Sequence, residues 1–187
     1  MSRSRPPACR LYLVVKPGED FTMLADQISQ AVADGADIAA MLLPEMAGAN
    51  ADSQKLITKA QDLGIAVLIK DDANLAKALG ADGVEVADLE AYKSARAILG
   101  PDGLIGARCG ASRHDAMALG EAGADYVALA PELIDWWAGL FEPACVCDQP
   151  VSLANAPEII AAGADFIQTE NLIDASGLTK LIAGNKP

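Results

Sequence analysis

Lys70-Asp71-Asp72 sets one ammonium and two carboxylates directly behind the short apolar run Ala66–Lys70. Carboxylates from two neighbouring strand ends can hold a magnesium ion that bridges phosphate oxygens, and Asp88, behind the next apolar run, is the candidate second ligand to Asp71. The competing use of the same residues is structural, with Asp72 capping the helix that follows and Asp71 solvated. Lys16, Lys70 and Arg108 are cations at equivalent places and suit an anionic ligand, arginine through two parallel hydrogen bonds. Alternatively each pairs with a nearby Asp or Glu. Lys16 or Lys70 would also serve an enzyme that needs a basic or Schiff-base amine.

Two further segments carry polar groups at strand ends. Cys147-Asp148-Gln149-Pro150 contains a carboxylate, no glycine, and a proline that lacks an N–H donor. Gln168-Thr169-Glu170-Asn171 places a second carboxylate beside it. Phosphate-binding barrels hold their ligand on backbone N–H groups of such loops, so both segments oppose a phosphate there. The expected ligand contacts are therefore Lys16, Lys70, Asp72, Arg108, Asp148, Gln149, Gln168 and Glu170, and no residue is assigned to catalysis.

These residues are aligned by an internal repeat. Gly-Ala-Asp occurs at 35–37, 80–82, 123–125 and 163–165, each time ending an alanine-rich stretch and preceding a strand-like run. The spacing of forty to forty-five residues is twice what one strand–helix unit needs. The intervening runs Leu11–Val15, Ala66–Lys70, Leu104–Arg108 and Ala144–Cys147 are continuously apolar, as in parallel strands buried on both faces. Eight strands alternating with eight helices predict a single compact (β/α)8 TIM barrel over residues 1–187, with residues 1–9 a flexible N-terminal tail. Phe21, Leu24, Ala25, Ile28 and Val32 fall on one helical face. Ser112 with Asp115, Asn155 ahead of Pro157, and Asp174 mark helix starts, and PELIDWWAGL offers the weakest unit. In such a barrel ligands bind at the C-terminal ends of the strands, where the residues above fall.

Composition narrows the partners. A net charge of −12 excludes an extended nucleic-acid surface, and no apolar run has the length of a membrane span. The four cysteines, Cys9, Cys109, Cys145 and Cys147, contain no CxxC pair and read as packed thiols in a reducing, cytoplasmic setting. His114 reads as a surface residue of a helix start, and Trp136-Trp137 as a cover for the sixth unit or a contact in a homodimer. Nothing matches a P-loop, a dinucleotide fingerprint or a Ser-His-Asp arrangement.

The motifs LYLVVKPG, GADIAAMLLP, LIKDDANLAKALGADGVEV, LIGARCGAS, GEAGADYVALAP and APEIIAAGADFI, over residues 10 to 173, resemble in order the strand motifs of thiamine phosphate synthases and the related thiazole tautomerases. That resemblance implies a TIM-barrel transferase of thiamine biosynthesis. Such an enzyme joins a pyrimidine, carried as its pyrophosphate, to a thiazole phosphate with the help of Mg2+. It also implies Asp71, with Asp88 or Glu90, as the metal carboxylates. Elsewhere the residues depart from the family pattern. Ala40-Met41-Leu42-Leu43-Pro44 stands where the family has Gln-Leu-Arg-Glu-Lys. Arg108 stands for a serine, Gly110 for the tautomerase histidine, and Asp148-Gln149 for a Gly-Gly phosphate turn. ELIDWWAGLF replaces a loop containing Thr and Lys. The substitutions predict that the pyrophosphate grips are largely lost. Three readings stay open: a synthase with a rearranged site, a small-molecule-binding or regulatory paralogue, and an enzyme of changed specificity.

Overall fold

The computed structural model describes residues 9–45 and 50–184. Its strands are β1 (Arg10–Val14), β2 (Ile38–Leu43), β3 (Ala66–Lys70), β4 (Gly83–Val86), β5 (Leu104–Gly110), β6 (Tyr126–Leu129), β7 (Ala144–Cys147) and β8 (Phe166–Thr169). All pair in parallel with their sequence neighbours, and β8 closes on β1, with Tyr12 opposite Gln168. The helices are α1 (Phe21–Ala33), α2 (Ala51–Asp62), α3 (Ala73–Leu79), α4 (Leu89–Leu99), α5 (Arg113–Ala122), α6 (Pro131–Leu140), α7 (Ala156–Ala161) and α8 (Ala175–Gly184). This is the (β/α)8 barrel that the repeat predicts. Among the described residues no helix is long and apolar enough to cross a membrane.

Alternation along the strands divides the core in two. Leu11, Leu13, Met41, Leu43, Val67, Ile69, Ile105, Val127, Cys145, Cys147 and Ile167 face outward against the helices. Leu24, Ile28 and Ala31 of α1 meet them, with Phe21, Ala25 and Val32 packed at the margin. The barrel interior is filled by Tyr12, Leu42, Leu68, Tyr126, Ala128 and Val146. Gly106 is what admits Tyr126, because a Cβ there would overlap the phenol ring.

The repeat has a mechanical role. Its glycines 35, 80, 123 and 163 all take positive φ where helices end, a conformation open to a residue without Cβ. Each aspartate then reaches back to the preceding odd-numbered strand. Asp82 Oδ2 accepts from Val67 N at 2.7 Å, Asp125 Oδ2 from Ile105 N at 2.7 Å, and Asp165 Oδ2 from Cys145 N at 2.8 Å. Asp37 holds the Arg10 guanidinium at 2.7 and 2.9 Å instead. These latches fasten the N-terminal ends of the strands.

Several local expectations are corrected. The sixth unit is not the weakest, since α6 has 10 residues and α7 only 6. α7 does start directly behind Asn155, as the sequence suggests, but without a side-chain cap: Asn155 Oδ1 accepts from the Ser152 N–H and hydroxyl and stabilises the turn before the helix. Ser112 caps α5 through the Asp115 N–H, and His114 is exposed on that first turn. Trp137 is fully buried, donates to the Pro143 carbonyl at 2.8 Å and stacks on Phe141, so it anchors the base of β7. Trp136 is half-buried under the Arg113 guanidinium, 4.7 Å from the ring centroid. Cys9, assigned to the tail, is buried, whereas residues 1–8 lie outside the described residues. Burial pushes the Cys9 and Cys109 thiols up to about 12, which leaves them protonated and unreactive.

Gly106→Ala should cost about 1–3 kcal/mol by overpacking the interior. Gly139→Ala, where an added Cβ meets nothing within 4 Å in α6, should be neutral or gain up to about 1 kcal/mol. Urea unfolding of the two variants checks the contrast.

Candidate functional site at the barrel mouth

The C-terminal ends of the strands surround a cavity of about 230 Å3 lined by Val14, Val15, Lys16, Pro17, Leu42, Pro44, Lys70, Glu85, Arg108, Ala128, Asp148, Gln168 and Glu170. Six of the eight expected ligand contacts thus meet in one place: Lys16, Lys70, Arg108, Asp148, Gln168 and Glu170. Asp72 is spent on capping α3, accepting from Leu75 N at 2.8 Å. Gln149 is exposed and does not line the cavity. Leu42 and Pro44 make one wall apolar, while neither tryptophan reaches the cavity. A larger cavity of about 590 Å3 lies outside the barrel between α1 and α8, and Lys16 and Glu170 line both spaces. The smaller one holds the convergent charges and lies where β/α barrels bind ligands.

Most charges of the mouth are matched. Lys16 pairs with Glu170 at 2.9 Å, and this contact holds the lysine above its usual proton affinity. Arg108 bridges two acids, with Nη2 2.9 Å from Asp71 Oδ2 and Nη1 3.3 Å from Glu85 Oε1. Asp71 is held for that contact in a left-handed conformation, φ 56°, which aspartate tolerates better than most residues. Its N–H donates to the Glu85 carbonyl at 2.9 Å. Two groups are left over. Lys70 has no ion pair or side-chain hydrogen bond among the described residues. Asp148 has one buried oxygen, Oδ1, with no donor. Burial and then the charge of Glu132 raise the Asp148 carboxyl above the usual aspartate range.

Beneath the cavity lies a network that the motif reading missed. Glu85 is 4% exposed, and its Oε2 accepts from the hydroxyls of Tyr12 at 3.2 Å and Tyr126 at 3.0 Å. The two hydroxyls are 2.6 Å apart, and the rings meet edge to face. The signal was present in GVEV: a lone carboxylate in a strand buried on both faces requires buried donors. Tyr12 and Tyr126 fall on the inward parity of their strands and are the residues able to supply them.

With the barrel and its mouth in place, comparison with known proteins identifies the lineage. The sequence model of the family described as thiamine monophosphate synthase matches residues 11–133. A thiamine-phosphate synthase of Rhodospirillum centenum is 34% identical over 181 residues, covering 85% of this chain and 86% of that protein. The chain belongs to the thiamine monophosphate synthase family. A second relative of the same description, from Hyphomonas neptunium, is also 34% identical, over 86% of this chain and 84% of its own. Among solved structures, a thiamine phosphate pyrophosphorylase from Pyrococcus furiosus superposes with a TM-score of 0.75 at 18% identity, covering 95% and 96% of the two chains, and shares the fold.

Magnesium, which that family implies, fits the carboxylates of this chain poorly. Asp71 is the counter-ion of Arg108, Asp88 Oδ1 caps α4 through Ala91 N at 2.8 Å, and Glu90 pairs with Lys93 at 2.9 Å on an exposed turn. The three residues named as metal ligands are thus committed to three different partners. Among the described residues no group of three or more His, Cys, Asp or Glu is arranged to hold a metal ion.

Asp148 gives the mouth a pH signature. Its native carboxyl holds its proton more tightly than in the unfolded chain, so it favours folding at low pH, and that contribution is lost as pH rises through the raised native value. Asp148→Asn should therefore melt above the parent chain at about pH 8, with the gap closing in acid below the ordinary aspartate value. Thermal unfolding at the two pH values measures it.

Proposed function

We propose that the mouth of this family member binds a compact small molecule with two unlike ends: an anionic or acceptor group for Lys70 and a donor or cationic group for Asp148. The observation that carries the reading is that these two groups line one cavity of about 230 Å3, Lys70 without an ion pair among the described residues and Asp148 with one carboxyl oxygen unpartnered. A ligand donor set against the cavity face of the Asp148 carboxyl would gain a charge-assisted hydrogen bond, worth about 1.5–3 kcal/mol. The other cations are neutralised, Lys16 by Glu170 and Arg108 by Asp71 and Glu85, so the site has little positive potential to spare for a multiply charged pyrophosphate. The apolar wall of Leu42, Pro44 and Val14 suits a flat ring or short aliphatic body between the two ends.

A second reading is the family reaction, joining a pyrimidine pyrophosphate to a thiazole phosphate. The identity of 34% to proteins named thiamine-phosphate synthases favours it. One pair of measurements separates the two. The chain is incubated with both synthase substrates and Mg2+, and product is followed by chromatography; separately, compact zwitterions and uncharged ring amides are screened by thermal shift. The first reading expects no product and a stabilising ligand whose binding weakens about 10- to 150-fold in Lys70→Met, as loss of one charge-assisted contact predicts. Catalytic product formation would replace it with the second.

A further inference from the structure

The cavity of about 590 Å3 between α1 and α8 and the smaller cavity of the mouth share a wall. Val14, Val15, Lys16 and Glu170 line both, so the divider is the end of β1 and one ion pair. The outer space has the size of a small-molecule site. Its floor is apolar, formed by Leu13 and Val15 from the β1 end with Leu24 and Ala31 of α1. Leu172 and Ile173, from the segment after β8, also line it, and Ile173 is left 88% exposed.

The charges around that floor are mainly negative. Glu19, Asp34 and Glu170 line the cavity against a single cation, Lys16. Glu170 holds the Lys16 ammonium at 2.9 Å, and the charge of Glu19 acts on the same ammonium. Asp34 accepts from the neutral amide of Gln30 at 3.1 Å, which leaves its charge unbalanced. Glu19, Gln27 and Ser176 make no side-chain hydrogen bond or salt bridge among the described residues. Those residues contain no group of three or more acids, histidines or cysteines arranged for a metal ion, so an organic cation suits the carboxylates better. The space offers such a cation acids for its charge and a floor for its body, and Lys16 already shows an ammonium seated on Glu170.

We infer that the outer cavity is a second ligand site, taking a small organic ammonium with an apolar body, and that its occupant frees Lys16 for the mouth by replacing it on Glu170. The exchange is open to solvent. The Lys16 and Glu170 side chains are 56% and 30% exposed, and pairs of that kind contribute little and change partners readily. Released from Glu170, Lys16 joins Lys70 as a second cation of the mouth, available to an anionic ligand end. By linkage, an anion that draws Lys16 into the mouth leaves Glu170 to the ammonium.

The coupling rests on the mouth being a binding site; occupation of the outer cavity does not, and the two are read separately. The intact chain, labelled with carbon-13 at its Leu, Ile and Val methyls, is titrated by NMR with phenethylammonium and with its neutral twin, phenethyl alcohol. The ammonium should give saturating shifts, largest at Leu24, Leu172 and Ile173, and bind about 10-fold more tightly than the alcohol. Glu170→Gln should weaken it about 2- to 5-fold and Lys16→Met tighten it by about the same factor, the scale of one exposed ion pair. Gln27→Trp, at an exposed α1 position, fills the cavity without removing a charge and should weaken binding at least about 10-fold. Absence of saturable shifts, equal affinity for the alcohol, shifts centred on Leu42 in the mouth, or unchanged binding in Gln27→Trp would overturn the site. Acetate then probes the anionic end of the mouth through Leu42. Its affinity should rise when phenethylammonium is present in the parent chain and stay level in Lys16→Met; no rise in the parent chain would overturn the coupling. Acetate that moves no mouth methyl under any condition would sink the mouth reading and the coupling with it, but not the outer site.

Discussion

Two tyrosine hydroxyls inside a closed barrel set the terms for everything above them. Eight strands leave an interior that side chains must fill, and Tyr12 and Tyr126 fill it with rings whose polar tips cannot reach water. Those tips require a buried acceptor, which Glu85 supplies. Glu85 in turn draws in Arg108, and Arg108 draws in Asp71 from the next loop, holding its backbone in a left-handed turn. The sequence of dependence runs from packing to polarity to loop conformation. Lys70, on the same rim, is left without an ion pair among the described residues.

The chemistry of the mouth is what remains after these internal obligations are met. Asp71, Asp72, Asp88 and Glu90 are carboxylates at plausible positions, yet each is engaged by an arginine, a helix N-terminus or a lysine. Lys16 and Glu170 neutralise each other at the rim. The cavity therefore presents a few unsatisfied groups against an apolar wall rather than a ring of cations. The chain keeps the barrel of the thiamine monophosphate synthase family, and its mouth offers the groups that these internal pairings leave unused.

Much of this was legible in the sequence because it is written in short-range pattern. The Gly-Ala-Asp repeat located the helix ends, and the runs Ala66–Lys70 and Ala144–Cys147 begin and end where β3 and β7 do. Topology alone brought Lys16, Lys70, Arg108, Asp148, Gln168 and Glu170 to one rim. Pairings across strands were not legible. Nothing near Tyr12 in the chain announces Glu85 or Tyr126, which lie 73 and 114 residues away. Motif alignment also drew attention to the carboxylates after β4 and away from the one inside it. For the aspartates, a cap and a metal ligand use the same side chain at nearly the same place, and the local sequence of Asp88 fits both.

The aspartate latches at the opposite rim give the molecule a division of labour. Asp82, Asp125 and Asp165 tie strand to strand through main-chain amides, so the work they do is indifferent to which side chains the strands carry at their other ends. Trp137 belongs to the same foundation, locked to the Pro143 carbonyl beneath β7. A scaffold whose fastening and whose reading head sit at opposite poles is free to exchange one vocabulary of ligands for another. Its lineage can then be plain in the foundation while its present trade is written only at the top.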